Sequence, residues 1–387
     1  MTALNAPAHS RPARPAEHAA RHVRELEGIR ALAALAVVLT HAGFMAGTIG
    51  RDVLPGFVAR MDIGVAIFFV LSGFLLYRPY AMFNAGLGVP PSLRTFAVRR
   101  AARLVPAWLC VLVITPLLWR EAREAPWTTW LANLAQLQGV KQSWIMPGLA
   151  QLWSLSTEVM FYIALPGVAW VVARVVRGRS PRTELLALVG LMLSAQGFRA
   201  LDALGALPPG YTWLQTLPGT LDWFCYGMVL ACLTARPGRW ASITSVIRHS
   251  PLALWGLAAC LMWILTTRLA GPYDLSQPTI GEQTFKHLGY GLFALLAVTP
   301  SAVGGGNPLS GFLASPVMRY LGQTSYAIFL WHLPIMFALR ESRGFGLFQG
   351  HFWFTLLGTL AITVPVASLS WYLVERPAQA FARRHTS

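Results

Sequence analysis

The chain has 387 residues, 55% hydrophobic and only 12% charged, with a formal net charge of +16 and a mean hydropathy of +0.51. A soluble domain of this length needs a far larger charged surface, so that class is excluded. The pI of about 10.7 would suggest nucleic acid in a soluble chain. Here the basic residues lie between apolar stretches of about twenty residues, the length that crosses a hydrocarbon core, and membrane orientation explains them.

In chain order, residues 1–25, with Pro7, Pro12 and Pro15 among Arg and Ala, read as a disordered cytoplasmic tail. The first apolar stretch carries Arg30 and His41 and no small-residue cleavage site follows it, so a removable signal peptide is not expected. Apolar spans are expected near 27–47, 61–83, 101–119, 152–175, 183–201, 214–234, 251–270, 285–303, 319–339 and 352–374. The fold class expected is all-α: a polytopic membrane protein whose ten spans form one domain over 26–377, with a second short cytoplasmic tail over 378–387. The stretch from Trp127 to Val140 is amphipathic and should lie at the interface or dip in partway, and Gly304 to Pro308 reads as a turn. No internal repeat is visible, which argues against an inverted-repeat transporter.

Charge tests this map independently. With the N-terminus inside, 21 of the 31 Lys and Arg fall on one side of it. The other side holds the remainder, nearly balanced by acids such as Asp52, Glu121, Glu124 and Glu341. This is the asymmetry of the positive-inside rule, and it places both termini in the cytoplasm. Cys110, Cys225, Cys232 and Cys260 all fall in apolar stretches without CxxC spacing, so they read as packing residues.

Ionisable groups inside hydrocarbon are costly, and each is a functional candidate. Arg30 and His41 in the first span are eleven residues apart, which puts them about 20° apart around a helix and roughly 16 Å apart along it. A neutral imidazole at that depth can take a proton from an alcohol, as general-base catalysis of acyl transfer requires. A snorkelling Arg and a helix-packing His account for the pair equally. Glu158, in Trp153-Ser-Leu-Ser-Thr-Glu158-Val-Met-Phe-Tyr162, could hold an imidazole in the right tautomer. Alternatively it caps the first turn with Ser154 or Ser156.

Arg94, Arg99, Arg100 and Arg103 lead into Pro106. Arg99 and Arg103 share a face at i,i+4, Arg100 and Arg103 are i,i+3 neighbours, and guanidinium forks suit phosphate. Topology and anionic lipid are the competing explanation. His332, in Ser325-Tyr326-Ala-Ile-Phe-Leu-Trp331-His332, is either a site residue or a packing residue, and Asp222 is a further intramembrane acid. His249, His287 and His351 lie at span ends and should be solvated. No HExxH, Walker A loop or GxSxG is present, so no metal, P-loop nucleotide or hydrolase elbow is expected.

Taken in order, these landmarks resemble the membrane acyltransferase-3 family of bacteria. They are Arg30 and His41, the Phe68-to-Phe74 stretch containing Ser72, Arg100 and Arg103 with Pro106, Trp153 to Tyr162, Ser325 to His332, and Glu375-Arg-Pro377. Two positions depart from the family pattern: Ala66 and Val159 stand where members often carry acids. The resemblance implies an acyl-coenzyme A-dependent O-acyltransferase of the bacterial inner membrane. His41 and Glu158 would be catalytic, with Arg30, Arg99, Arg100 and Arg103 on the coenzyme A phosphates. Ser72, Trp153, Tyr162, Tyr326 and His332 are candidates for substrate binding. No tightly bound cofactor, metal or nucleic acid is implied; acyl-coenzyme A is the co-substrate. The wording Ile63-Gly-Val-Ala-Ile-Phe-Phe69 is similar to actinobacterial macrolide acyltransferases, so a macrolide antibiotic or its sugar is the expected acceptor. A surface polysaccharide or glycolipid sugar is the alternative, and the membrane domain is expected to act alone. A transporter using His41, Glu158 and Asp222 as a proton relay is the rival of another class.

Overall fold

The computed structural model describes residues 15–48, 55–236, 238–273, 276–304 and 307–386, with side chains from Arg24 onward. The expected tail over residues 1–14 and the acid Asp52 lie outside the described residues. Among the described residues all regular structure is helical. Helix α1 spans Pro15–Ala46, so residues 15–25, expected to be disordered, are helical instead.

The other long helices are α2 (Gly64–Asn84), α3 (Leu93–Leu118), α5 (Leu152–Val176), α6 (Pro181–Ala203), α7 (Leu217–Ala235), α10 (Ile280–Val303), α12 (Ser325–Glu341) and α13 (Phe352–Ser370). Shorter helices lie between and after them: α4 (Trp127–Leu134), α8 (Ala241–His249), α9 (Pro251–Leu265), α11 (Pro316–Gln323) and α14 (Arg376–Arg384). Polar caps start several of these helices. Ser92 accepts the Thr95 backbone N–H at the start of α3, and Thr279 and Glu282 form a reciprocal capping box on α10, satisfying donors that have no partner within the helix.

Six helical segments are long and apolar enough to cross a membrane, or seven if the pair α8 and α9, bent by 76°, counts as one. Helices occupy the other expected positions too, but α7, α10 and α12 fall short in length or in apolar character. Polar residues explain the first two, Asp222 in α7 and Glu282, Lys286 and His287 in α10, whereas α12 is only 17 residues long.

Helix α2 is the centre of the bundle, buried along most of its length and packed on α1, α5, α7 and α10. Its closest approach is to α7. A Cβ at Gly73 would lie 2.0 Å from the Phe224 carbonyl oxygen, and one at Gly227 would lie 2.0 Å from that of Val70. Reciprocal glycines therefore let the two backbones touch, the device by which apolar helices associate where water supplies no driving force. Phe224 then stacks between Phe69 and Phe161, with ring centroids 4.4 and 4.1 Å away.

The segment between α3 and α5 enters the bundle. Trp127 and Leu131 of α4 are exposed, whereas Met146, Leu149 and Leu152 are fully buried. Buried Gln138 donates to the Leu152 carbonyl at 2.9 Å, and Gln151 to that of Leu330 at 2.9 Å. These bonds anchor the first turn of α5, which carries the Trp153–Tyr162 motif, inside the bundle and against α12.

Candidate active site

Arg30 and His41 lie eleven positions apart on α1, and each ends in a different cluster. His41 is half-buried, with Nδ1 2.8 Å from the Val37 carbonyl oxygen and 3.2 Å from His332 Nε2. His332 is fully buried, and its Nδ1 lies 2.7 Å from the Phe329 carbonyl oxygen.

A carbonyl oxygen only accepts, so both Nδ1 atoms carry hydrogen and each neutral ring keeps its lone pair on Nε2. His332 Nε2 accepts from His41 Nδ1–H, and the network assigns the one remaining basic nitrogen to His41 Nε2. Among the described residues that atom has no hydrogen-bond partner.

The expected partnership of Glu158 with His41 does not form. Glu158 Oε1 instead accepts from Ser72 Oγ at 2.6 Å and from Tyr162 Oη at 2.7 Å. The reason lies in the packing: α1 and α5 are bridged by α2, which touches both. His332, not a carboxylate, holds the imidazole of His41. Nor is Glu158 the cap of α5, because it lies well inside the helix.

Glu158 faces a narrow cavity shared with Arg30, Ser72, Arg103, Tyr326 and Phe329. In this cavity two guanidiniums, Arg30 and Arg103, face one carboxylate, Glu158, and Arg100 acts on it from alongside. The balance favours an anion, and guanidinium forks match phosphate oxygens. A second chamber shares Arg30, Arg103 and Tyr326 with the first and is closed by Gln323, Trp371 and two further carboxylates, Glu27 and Glu375, so the excess of positive charge belongs to the first cavity. Glu375 reaches the second chamber because one turn of π-helix, Trp371–Glu375, separates α13 from α14 and buries its carboxyl. Tyr326 Oη donates to the Leu104 carbonyl at 2.9 Å, fixing the ring in the wall between the chambers.

Phe329 links the cavity to the histidines. Its ring lines the cavity, lies 6.2 Å from that of Phe68 and 5.9 Å from that of His332. The sequence places Phe329 within the Ser325-to-His332 motif but gives it no role of its own.

The remaining candidates divide. Arg99 leaves the cluster: its guanidinium bonds Thr386, from Nε to Oγ1 at 3.0 Å, and it is exposed. Around the helix Arg103 lies about 40° from Arg99 and about 60° from Arg100, so spacing does not choose between them, and the bonds to Thr386 take Arg99 out of the cluster. Trp153 packs edge-on against Phe69 with centroids 6.4 Å apart, outside the cavity wall. His287, expected to be solvated, is buried and bonds Asp222 at 2.8 Å. Gln196 also donates to Asp222, at 2.8 Å. Among the described residues no group of His, Cys, Asp and Glu could hold a metal ion.

Residues 23–375 match the family described as "Acyltransferase domain". The chain is 27% identical over 373 residues to the peptidoglycan O-acetyltransferase OatA of Listeria monocytogenes, covering 90% of this chain and 54% of that protein. It is 27% identical over 336 residues to nodulation protein 10 of Rhizobium leguminosarum, covering 81% of each. The chain thus spans about half the length of the peptidoglycan-type relatives it matches. No solved structure matches it.

Proposed function

Given that the chain belongs to the acyltransferase domain family, we propose that it is a membrane O-acyltransferase moving an acyl group from acyl-coenzyme A to a hydroxyl of its acceptor. One observation carries the reading. His41, tied through Nδ1 to Val37 and His332, keeps an unpartnered basic Nε2 inside an apolar bundle. The arginine-lined chambers supply the complement, a site for the phosphates of coenzyme A. The rise of α1 from Arg30 to His41, roughly 16 Å, suits an extended phosphopantetheine arm.

In this reading the acceptor O–H gives its proton to His41 Nε2 while its oxygen attacks the thioester carbonyl. The new C–O bond forms, the C–S bond breaks, and the departing thiolate takes the proton back from the imidazolium. Glu158, held by Ser72 and Tyr162, balances the guanidiniums in the cavity and does not orient the base. Phe329 and Phe68 close the cavity toward the histidines, and the thioester passes when they turn. Ten spans with both termini cytoplasmic, in a bacterial inner membrane, would open the arginine chambers to the cytosol.

For the acceptor, a small molecule such as a macrolide or its sugar rests on sequence wording alone. Similarity to peptidoglycan O-acetyltransferases favours a cell-wall sugar hydroxyl as a second reading. The transporter reading loses support, because His41, Glu158 and Asp222 bond separate partners and form no chain. Membranes carrying the chain, given labelled acyl-coenzyme A with both acceptor classes and read by mass shift, test the proposal. Acyl ester on either acceptor is expected; thioester left intact with every acceptor contradicts it.

A further inference from the structure

Helices α3 and α5 splay apart and leave a long groove between them. Its floor on α3 is Ala97 and Ala101, two small residues one turn apart, and its lips are Val105, Val159 and Ile163. Almost every atom it presents is apolar. Ile163 is 77% exposed, so one side opens outward, where the bundle meets lipid. From Leu93 to Trp108 the α3 wall runs about 22 Å.

Two features separate this groove from an ordinary lipid-facing crevice. Leu104 of α3 and Leu155 of α5 line both the groove and the polar cavity of Glu158 and Arg103, so the two spaces share a wall on each helix. Arg100 and Tyr162 also stand in the groove wall, and Tyr162 reaches through to Glu158. A donor whose thioester waits in the cavity before passing to His41 therefore has an apolar surface beside it, across Leu104 and Leu155, for whatever the thioester carries.

We propose that the α3–α5 groove holds the acyl chain of the donor, and that the chain prefers acyl groups longer than acetyl. This rests on the acyl-coenzyme A reading above. Each methylene moved from water into an apolar groove favours binding by up to about fourfold. Because the groove is open along one side, no end wall sets an upper limit, and preference should rise with chain length without a sharp cut-off. Relatives named as O-acetyltransferases transfer a two-carbon acyl group, so this chain would differ from them in donor while keeping the family cavity.

The test needs no acceptor. The full chain in lipid nanodiscs is given octanoyl-coenzyme A with a photoreactive diazirine at the chain end, illuminated and mapped by peptide mass spectrometry. Adducts are expected within 97–108 and 159–166, abolished by excess coenzyme A. Octanoyl-coenzyme A should bind at least tenfold tighter than acetyl-coenzyme A. Val159→Trp and Ile163→Trp fill the groove from its open side, and each should reduce that ratio by tenfold or more. Because the ratio is taken within one preparation, a partly unfolded variant does not imitate this result. Adducts that coenzyme A abolishes but that map elsewhere overturn the groove and leave the donor reading standing. Adducts in the groove that coenzyme A does not displace mean a bystander lipid site, and overturn the inference. Loss of all coenzyme A-sensitive labelling removes the donor reading and this inference with it.

Discussion

His332 Nε2 lies 3.2 Å from His41 Nδ1, and the two residues are 291 positions apart in the chain. The contact works because each Nδ1 is already committed to a backbone carbonyl one turn back, Val37 for His41 and Phe329 for His332. Two local bonds and one long-range bond thereby define the tautomer of both rings.

Replacing His332 should therefore lower turnover with little change in donor KM. His332→Ala is expected to reduce kcat by about 10²-fold, the low end of what a misplaced general base forfeits. His332→Gln, whose side-chain carbonyl can still accept from His41, should recover a tenfold share. A residue that only packs would lower the melting temperature in both variants and show no recovery of kcat with Gln.

The arginines should not behave alike. Arg100→Gln and Arg103→Gln are expected to raise donor KM roughly 10-fold to 100-fold each, the range of one charge-assisted hydrogen bond of about 1.5–3 kcal/mol. Arg99→Gln should change it less than twofold, because that guanidinium is engaged with Thr386. Steady-state kinetics with varied acyl-coenzyme A distinguish the three.

How far the sequence could be read shows in these same residues. The Arg30–His41 spacing and the Trp153–Tyr162 motif were legible because both lie within single helices, where residue number converts directly to angle and rise. The choice between Arg99 and Arg100 was not, since neighbouring side chains differ by 100° and only the partner helix decides which one faces the cavity. The partner of His41 was hidden for a similar reason. A carboxylate is the commoner companion of a catalytic imidazole, and nothing in one sequence reports that α2 stands between α1 and α5. His287 illustrates the opposite error: near a helix end it reads as solvated, but Asp222, 65 residues away, draws it into the bundle.

The close contact of α2 with α7 makes a stability prediction. Gly73→Ala places a methyl 2.0 Å from the Phe224 carbonyl oxygen, and the helices must separate. A loss of roughly 1–3 kcal/mol is expected, read as a lower melting temperature in detergent. Gly190→Ala on α6, where a Cβ meets nothing within 4 Å, should leave the melting temperature level or slightly higher, since Ala is the better helix former.

The ten-span arrangement predicts which loops face the cytosol. In a cysteine-free background, Ala206→Cys should react with a membrane-impermeant thiol reagent added to intact cells, and Gly178→Cys should react only after lysis. Labelling in the reverse order would invert the topology, and labelling of both from outside would remove the span between them.

The base is where the account stands or falls. The direct measurement is the rate of acyl transfer from labelled acyl-coenzyme A by His41→Ala, with membrane insertion and melting temperature checked in parallel. A fall of about 10²-fold to 10⁴-fold in a properly inserted protein is predicted. A properly inserted His41→Ala protein that transfers acyl groups at the parent rate would contradict the account.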